Sequence, residues 1–392
     1  MISLAEIIFW TASVLVVYPY LVYPPLLRLL AAISPIGSAP RTGAVSLPRV
    51  TLVVSAFNEE QAIGRKLENT LSLDYPPDRL QVIVASDAST DGTDQSIREF
   101  AARHPRIVLV RQEERRGKSA ALNKAVAAAT GDIVVFSDAN AMYEPSAIRE
   151  LTDGFADPGV GYVVGAALYV DATGNRAAES EGLYWRLELL LKRLESKFHS
   201  VVGGDGAIYA IRRSLFWDFR DDDISDFANP LQIVAAGYRG LFNPAARCHE
   251  HAGETFAKEF QRKRRIVNRS WRAVRRYGNR LRIRDHGRFI FMLLSHKVIR
   301  WFALPLMLVA WATNAALLGE APLYTWTWAL INLSAMLAGM GVVLDRRGLA
   351  QPRAVAILYY FYAVNLAGFL GIWDEWRGVR HVTWDHIRKA GE

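Results

Sequence analysis

Between residues 50 and 136, short apolar runs alternate with longer amphipathic stretches. The runs are rich in Val and Ile, as is usual for strands that are buried on both faces of a sheet. They are Val50–Ala56, Leu80–Ser86, Ile107–Val110 and Ile133–Phe136. The stretches between them predict helices at Glu60–Leu73, Asp91–His104 and Ser119–Thr130. This alternation predicts a parallel sheet covered by helices, with ligands at the carboxyl ends of the strands.

Beyond residue 159 the pattern is less regular, but four elements can be predicted. A long helix is expected at Ala177–Phe198, and glycines within Val201–Arg212 precede a further strand. Gly237–Pro244 predicts a turn and a short strand. The last element, Phe256–Tyr277, is a basic helix with apolar residues among its arginines, a pattern that suits a membrane interface.

Four apolar stretches are long enough to cross a bilayer. They lie at Ile7–Leu27, Trp301–Leu318, Leu323–Leu344 and Ala354–Trp373. Arginines follow the first stretch, so the positive-inside rule predicts an outside N-terminus and a cytoplasmic domain after it. The basic loop at 345–353 is also expected in the cytoplasm, which places the tail outside although the tail has basic residues of its own. Either the tail is outside, or one segment is interfacial or re-entrant.

These features divide the chain into a membrane anchor, a linker, an α/β domain, interfacial helices, C-terminal membrane helices and a polar tail. The predicted boundaries are 1–33, 34–48, 49–255, 256–300, 301–374 and 375–392. We therefore expect a multi-pass protein of the plasma (inner) membrane with a cytoplasmic α/β domain. The single cysteine, Cys248, excludes an internal disulfide and agrees with a reducing cytosol.

The net charge of +8 comes from one segment. Between Lys258 and Arg300, 15 Lys and Arg residues stand against two acids, so the rest of the chain is acidic. Such a run could bind nucleic acid, but it lies directly before apolar stretches. This position favours anionic lipid and a phosphorylated substrate, and we expect no nucleic-acid partner.

Several common catalytic motifs are missing from the sequence. Residues 116–119 end like a P-loop, but Gln112 stands where the first glycine is required. No GxGxxG follows the first strand, and no Gly-x-Ser-x-Gly elbow occurs. His249 and His251 beside Cys248 are weak grounds for a zinc site. An ATPase or a nicotinamide enzyme is therefore disfavoured.

Polar residues with oxygen ligands stand instead at the ends of two predicted strands. Asp87 follows the second strand, and Asp138 and Asn140 follow the fourth. In an extended chain Asp138 and Asn140 point the same way. Oxygen side chains so placed suit Mg2+ or Mn2+ carried in on a diphosphate. The alternative is a turn that only closes the strand.

The motifs occur in a definite order along the chain. They are AFNEE after the first strand, SDASTDGT after the second, RGKSAALN, SDAN, GGDGAIYAIRR, the acid Asp226 and QRKRR in the basic helix. Together they resemble the family 2 glycosyltransferases of the GT-A fold, in particular the integral-membrane group that includes cellulose, chitin, hyaluronan and poly-N-acetylglucosamine synthases. The resemblance covers residues 50–277. It implies an α/β, Rossmann-like, mostly parallel GT-A domain flanked by one N-terminal and about three C-terminal transmembrane helices.

The resemblance also implies roles for residues around the nucleotide. Ala56, Asn58 and Glu59 would line the nucleoside pocket, and Asp87 would accept the uracil imide hydrogen. Lys118 would approach the diphosphate, where its single positive charge would offset the negative charge of the phosphates. The alternatives are that Glu59 only begins a helix and that Asp87 only closes a strand.

The metal ligands and the catalytic base follow from the same resemblance. Asp138 and Asn140 match the DxD position, with Asn in place of the second Asp, which lowers the charge at the metal. The base is expected at Asp226, eleven residues before Gly237, where it would take the proton of an acceptor hydroxyl. Asp223, in the same acidic cluster Asp221–Asp226 (DDDISD), is the alternative base.

Two further motifs concern the acceptor and the diphosphate. Asp205, in the GGDG segment, would touch an acceptor hydroxyl. The QxxRW signature corresponds to Gln261, Arg264 and Arg265, with Arg265 in place of Trp. Arg264 would neutralise the departing diphosphate. The missing Trp removes a ring that would stack on an acceptor sugar, although Trp271 lies two turns farther on.

The sequence therefore predicts an inverting, metal-dependent membrane glycosyltransferase that uses Mg2+ or Mn2+. It would move a sugar from a nucleotide donor, expected to be a UDP-sugar, to a growing polysaccharide or glycan acceptor. One alternative is a transferase that adds a single sugar to a polyprenyl phosphate, and another is an inactive nucleotide-binding scaffold. The expected partners are the nucleotide sugar, a glycan or lipid-linked acceptor, the lipid bilayer and the subunits of an export complex.

Overall fold

The computed structural model describes residues 2–35, 47–170, 176–251 and 256–381, with the backbone alone at 170, 176–183 and 251. The predicted linker at 34–48 and the predicted tail at 375–392 therefore lie partly outside the described residues.

In the described chain, eight strands form one sheet. They are β1 Val50–Ala56, β2 Leu80–Ser86, β3 Ile107–Arg111, β4 Ile133–Asp138, β5 Met142–Tyr143, β6 Val160–Val170, β7 Tyr209–Arg212 and β8 Arg239–His251. Across the sheet they lie in the order β3-β2-β1-β4-β7-β6-β8-β5.

The first four strands pair in parallel, β1 between β2 and β4, and β3 on the far side of β2. β7 runs antiparallel between β4 and β6, and β8 runs parallel to β6. β5 is antiparallel to β8. The predicted mostly parallel sheet is thus confirmed, and the carboxyl ends of β1, β2 and β4 meet at one edge. There Ala56 pairs with Ser86, and Ser55 pairs with Asp138.

Helices cover both faces of the sheet and continue beyond it. They are α1 Leu4–Val17, α2 Tyr23–Ile33, α3 Glu60–Leu71, α4 Thr93–Arg103, α5 Lys118–Ala127, α6 Ala147–Asp153, α7 Arg176–Phe198, α8 Ser225–Ala235, α9 Phe256–Tyr277, α10 Ile283–Leu293, α11 Ile299–Trp301, α12 Ala303–Ala316, α13 Pro322–Arg346 and α14 Arg353–Trp376. The π-helical turns Tyr18–Val22 and Leu294–Val298 join α1 to α2 and α10 to α11.

The sheet separates two hydrophobic cores, because successive side chains of a strand point to opposite faces. Leu52 and Val54 of β1 face the core under α3, α4 and α6. Val53 of β1 and Phe136 of β4 face the core under α5, α7 and α8, which continues into α2 and α10. Each such fully buried side chain contributes about 1.5–3 kcal/mol. This second core attaches the sheet to the apolar helices.

Three helical segments of the described chain are long and apolar enough to cross a membrane: Leu4–Ile33, Pro322–Arg346 and Arg353–Trp376. The remaining predicted stretch, Trp301–Leu318, corresponds to α12, which has 14 residues. It forms a pair with Ile283–Trp301 that is bent by 64°, the geometry of a broken span or a re-entrant segment.

Candidate active site

A cavity of about 370 Å³ opens at the carboxyl edge of the sheet. Its inner part is lined by the ends of β1 and β4, the segment 203–207, the start of α8 and one face of α9. Its outer part is lined by the apolar segments, with Tyr20 from Leu4–Ile33 and Asn365 from α14 among them. The cavity therefore connects the sheet edge with the apolar helices.

The inner part of the cavity contains the residues predicted to hold a metal and a diphosphate. Asp138 ends β4, and Asn140 lines the same cavity two residues later. Asp138 Oδ1 accepts a hydrogen bond from Ser55 Oγ at 2.9 Å and forms an ion pair with Lys118 Nζ. Lys118 is the first residue of α5. The fold thus brings Asp138, Asn140 and Lys118 together.

Asp226, in the first turn of α8, faces the same space. Its Oδ2 accepts a hydrogen bond from Gly206 N at 3.2 Å. A Cβ atom added to Gly206 would lie 3.6 Å from Asp226 Oδ2, 3.7 Å from Asp138 Oδ2 and 3.5 Å from Lys118 Nζ. The two carboxylates and the ammonium group therefore surround one point, which a side chain at position 206 would occupy.

The GGDG segment supports this arrangement from the other side. Gly204 N donates to Asp226 O at 2.5 Å, and a Cβ at Gly204 would lie only 2.7 Å from that oxygen. A glycine is required at this close approach. Asp205 lines the cavity too, but its Oδ2 is paired with Lys192 Nζ at 3.1 Å. The GGDG segment therefore does more than reverse the chain direction, because it lines the cavity and contacts Asp226.

Two carboxylates in the inner part of the cavity, those of Asp226 and Glu59, have raised pKa values. Burial raises the pKa of Asp226, which Lys118 opposes and the carboxylates of Asp205 and Asp138 reinforce. Burial also raises the pKa of Glu59 to about 8, with Asp138 adding to the effect. Acids crowded in this way favour the arrival of a cation. A carboxylate with a raised pKa is also a stronger base once it is ionised.

Asp223, the alternative base, has a different environment. It is fully buried and is not among the residues that line the cavity. Its carboxylate accepts hydrogen bonds from Arg276 at 2.5 Å, from Tyr277 Oη at 2.7 Å and from Arg220 N at 3.0 Å. These bonds hold the loop before α8 against the end of α9. Of the two acids, Asp226 alone faces the cavity.

The predicted nucleoside residues lie beside this cavity. Ala56 is the buried end of β1, and Asn58 has a φ of 53°, in the left-handed region. Asn58 Oδ1 accepts from Thr90 N at 2.8 Å, and Asn58 N donates to Ser89 Oγ at 3.1 Å. Asn58 thus ties the loop after β1 to the loop after β2. Of the residues predicted at the nucleoside, Glu59 and Lys118 line the cavity.

Asp87 is fully buried and organises the turn before α5. Its carboxylate accepts from Gln112 Nε2 at 2.5 Å, Arg116 N at 2.9 Å and Gly117 N at 3.0 Å. Burial raises its pKa, and these hydrogen bonds oppose the rise. Asp87 therefore sets the position of Lys118, which follows this turn. Its predicted contact with a uracil ring stays a prediction.

The sequence matches a known family over its α/β part. Residues 51–220 fit the model described as Glycosyl transferase family 2. The chain contains a glycosyltransferase family 2 domain. A solved structure of the mannosyltransferase PcManGT from Pyrobaculum calidifontis, in complex with GDP-Man and Mn2+, is 27% identical with a TM-score of 0.70. That likeness covers 95% of this chain and 100% of the other. Together with the family match, it shows that the α/β part of this chain has a GT-A type fold.

Two curated relatives share the family 2 domain. The beta-monoglucosyldiacylglycerol synthase of Synechocystis is 37% identical over 42% of this chain and 34% of its own. The poly-beta-1,6-N-acetyl-D-glucosamine synthase of Staphylococcus aureus is 26% identical over 53% of this chain and 51% of its own. The matched region thus spans about a third of the first relative, a glycolipid synthase by name, and about half of the second, a polysaccharide synthase by name.

The QxxRW segment does not face the cavity of the family 2 domain as a unit. Arg265 lines the cavity, whereas Gln261 is exposed and outside it. Arg264 instead binds Asp374 of α14 with two hydrogen bonds of 2.6 and 2.7 Å. The structure therefore does not bring Gln261 and Arg264 to the inner cavity. Arg269, which sequence reasoning missed, lines the cavity one turn after Arg265.

The structure also adds an outer wall that the sequence analysis did not identify. It consists of residues from α7, from the turn between α10 and α11 and from α11 itself, namely Tyr184, Trp185, Glu188, Lys192, Glu195, His296, Lys297 and Arg300. A spacing signal existed in α7, where Glu188, Lys192 and Glu195 recur at helical intervals among apolar residues. By contrast, Trp271, considered as a stacking ring, does not line the cavity but packs behind Trp301, which does, and against Phe302.

Proposed function

We propose that this chain is an inverting glycosyltransferase that moves a sugar from a nucleotide donor to a glycan acceptor at a membrane. The observation that carries the proposal is the position of Asp226, Asp138 and Lys118 around one point, in a cavity that reaches the apolar helices. UDP is the proposed nucleotide. The GDP-Man in the PcManGT structure makes GDP-sugars the first alternative to test.

A divalent metal fits the residues at the end of β4. Asp138 and Asn140 supply hard oxygen ligands, and Lys118 already provides a positive charge beside Asp138. Among the described residues no group of three or more His, Cys, Asp or Glu forms a complete metal site, so the donor diphosphate would complete the coordination. A bound Mg2+ or Mn2+ would stabilise the negative charge of the leaving diphosphate.

Asp226 would act as the general base of a single displacement. Its carboxylate takes the proton of an acceptor hydroxyl as that oxygen forms a bond to the anomeric carbon. The bond between the anomeric carbon and the diphosphate oxygen breaks, and its electron pair leaves with the nucleoside diphosphate. Attack from the face opposite to the leaving group inverts the anomeric centre. The partly buried position of Asp226 and its raised pKa support this role.

Cations of α9 would receive the leaving diphosphate. Arg265 and Arg269 line the cavity on one face of this helix, and Lys118 lines the same cavity. Arg269 is held by hydrogen bonds to Ser119 Oγ at 3.1 Å and to the carbonyl of Asp223. A guanidinium fixed before the reaction stabilises developing charge without reorganisation. This assignment replaces the role that the sequence suggested for Arg264.

The membrane position follows from the apolar segments. We propose a multi-pass protein of the inner membrane with its family 2 domain in the cytoplasm, where nucleotide sugars are made. The three candidate spans and the outer cavity residues Tyr20 and Asn365 support an acceptor that arrives from the bilayer. The polysaccharide and glycolipid synthases among the relatives support either a growing glycan or a lipid-linked acceptor.

Substitution of the base tests the proposal. Asp226→Asn should lower sugar transfer by at least about a hundredfold, because general base catalysis typically contributes that much or more. Nucleotide binding in the presence of Mn2+ should stay within about threefold of wild type. The matched control is Asp221→Asn, since Asp221 lies in the same acidic cluster but its side chain is 44% exposed and pairs with Arg116.

The pH dependence provides a second readout in the same experiment. Wild-type transfer should fall as the pH drops through the raised pKa of Asp226, above the value of about 3.9 usual for aspartate. The residual transfer of Asp226→Asn should lack this step. Normal turnover of Asp226→Asn would end the assignment. Nucleotide binding by wild type without transfer or hydrolysis of any donor would favour the scaffold alternative.

A further inference from the structure

The ammonium group of Lys118 contacts one of the two proposed metal ligands. Its Nζ forms an ion pair with Asp138 Oδ1, an oxygen that also accepts the hydrogen bond from Ser55 Oγ. Lys118 Nζ lies 3.5 Å, and Asp138 Oδ2 3.7 Å, from the point where a Cβ of Gly206 would stand. Both oxygens of Asp138 therefore lie near the same ammonium group.

This contact sets a positive charge against any cation that binds Asp138. A divalent ion lies about 2–2.6 Å from a carboxylate oxygen, so on either oxygen of Asp138 it would be close to Lys118 Nζ. Like charges at so short a distance repel each other in a partly buried cavity. Asn140 supplies only a neutral oxygen, so Lys118 offsets the one negative charge of the two proposed ligands. The lysine therefore lowers the affinity of this pair for a free divalent ion.

The other charged residues of the inner cavity do not remove this effect. They line the cavity whatever the position of the Lys118 side chain, and they act on a bound cation in every case. They therefore set the absolute affinity, whereas Lys118 sets the difference between an Asp138 that is paired and one that is not. The set includes Glu59, Asp205, Asp226, Glu250, Arg265 and Arg269.

The backbone that carries Lys118 is held in place, whereas its side chain can change partner. Gly117 N donates to both carboxylate oxygens of Asp87 at 3.0 Å, and Gly117 has a φ of 94°, which favours glycine. Lys118 follows as the first residue of α5, with a side chain that is 21% exposed. Lysine carries its charge on a flexible four-carbon stem. The ammonium group can therefore leave Asp138 without a movement of the backbone.

We propose that Lys118 couples metal binding to donor binding. Before the donor binds, its ammonium group pairs with Asp138 and competes with a divalent ion there. A nucleoside diphosphate offers this group several charged oxygens in place of one carboxylate, so the side chain leaves Asp138 as the diphosphate enters. Asp138 is then free to bind the divalent ion that accompanies the diphosphate. The inference rests on the proposed function and adds a binding order, in which the ion binds together with the nucleotide sugar and not before it.

Binding of Mn2+ in the absence of any nucleotide gives the first test. The purified full chain in a neutral detergent is titrated with Mn2+, and free Mn2+ is measured by electron paramagnetic resonance. Lys118→Met should bind Mn2+ at least about tenfold more tightly than wild type, because the site loses a competing positive charge. An unchanged or weaker affinity for Mn2+ overturns the inference.

Binding of nucleotide in the absence of metal should change in the opposite direction. UDP and GDP are titrated calorimetrically against the same proteins in the presence of EDTA. Lys118→Met should bind the preferred nucleotide about tenfold more weakly than wild type, because the diphosphate loses a charged hydrogen-bond donor. A lysine that stays on Asp138 throughout would leave the nucleotide affinity unchanged or raise it, and either result overturns the inference.

Three further variants complete the comparison. Lys124→Met removes a charge from the exposed face of the same helix, and both affinities should stay within about threefold of wild type because an exposed charge is screened. Lys118→Arg keeps the positive charge and should keep the weak Mn2+ binding of wild type. If Lys118→Met fails to fold, Lys118→Gln provides the same test with a polar, uncharged side chain.

Sugar transfer by wild type separates this inference from the proposed function. Wild type that transfers sugar, in a series where the two affinities of Lys118→Met do not change in opposite directions, overturns the inference alone. Absence of transfer by wild type from every UDP- and GDP-sugar overturns the proposed function and the inference with it.

Discussion

At the scale of single residues, the loop that carries Asn140 is supported by a buried lysine. Lys66 is fully buried, and its Nζ donates to Ala141 O and lies 4.1 Å from the ring centroid of Tyr143. Tyr143 Oη in turn donates to Ala207 O at 3.0 Å. The loop after β4 is thereby joined to the segment that supports Asp226. Burial lowers the pKa of Lys66 to about 8, so keeping its ammonium group protonated inside the folded protein costs free energy.

Replacement of this lysine should weaken the proposed metal site without changing either of its proposed ligands. Lys66→Met leaves the Ala141 carbonyl without its donor, and loss of such supporting bonds typically costs about tenfold or more in metal affinity. We expect the Mn2+ concentration for half-maximal transfer to rise about tenfold, as measured by a metal titration. Lys124→Met, on the exposed face of α5, is the control. An unchanged titration for Lys66→Met would contradict the support role.

At the scale of elements, the sequence predicted the strands that are buried on both faces. The strands β1, β2, β3 and β4 were predicted to within two residues. A short, continuous run rich in Val and Ile is typical of a strand that is buried on both faces of a sheet. β6 was not predicted, since its small residues and glycines break the pattern. The order of β7, β6 and β8 depends on pairings between residues far apart in the chain, which no local pattern encodes.

The contacts of the side chains on α9 also depend on residues far apart in the chain, which the sequence did not predict. Its bounds, Phe256–Tyr277, were predicted, since a helix with this spacing of apolar residues is recognisable. The partners of Arg264 and Arg272 on α14 were not, because they lie about a hundred residues later in the chain. Arg264 meets Asp374, and Arg272 meets Glu375 at 2.6 Å through Nε. The sequence could therefore indicate that α9 carries the arginine proposed to bind the diphosphate, but it could not identify which arginine this is.

A double-mutant cycle tests the role of Arg264 in joining α9 to α14. Arg264→Gln and Asp374→Asn should each lower the apparent melting temperature by a few degrees, since a charged hydrogen-bonded pair contributes about 1.5–3 kcal/mol. The double variant should lose little more than either single one, because the residues act as a pair. Additive losses of stability, together with a fall in transfer by Arg264→Gln as large as that of Asp226→Asn, would contradict this role. They would indicate that Arg264 binds the diphosphate instead.

At the scale of the whole molecule, one cavity links a nucleotide-binding type of sheet edge with apolar helices. The inner end holds Asp138, Asn140 and Asp226, and the outer end reaches Tyr20 and Asn365. The core beneath α5, α7 and α8 continues into α2 and α10, so the two ends are held by the same packing. A water-soluble donor and a membrane-borne acceptor can therefore meet at Asp226. We propose that they react there in a single displacement.

The anomeric configuration of the first product shows whether the reaction is a single displacement. The purified full chain in vesicles is supplied with Mn2+, an acceptor and a nucleotide sugar of known α configuration, and the new linkage is followed by proton NMR. A single displacement by an acceptor that Asp226 has deprotonated predicts a β-linked product. An α-linked first product would contradict the account, since retention requires a second displacement that these residues do not explain.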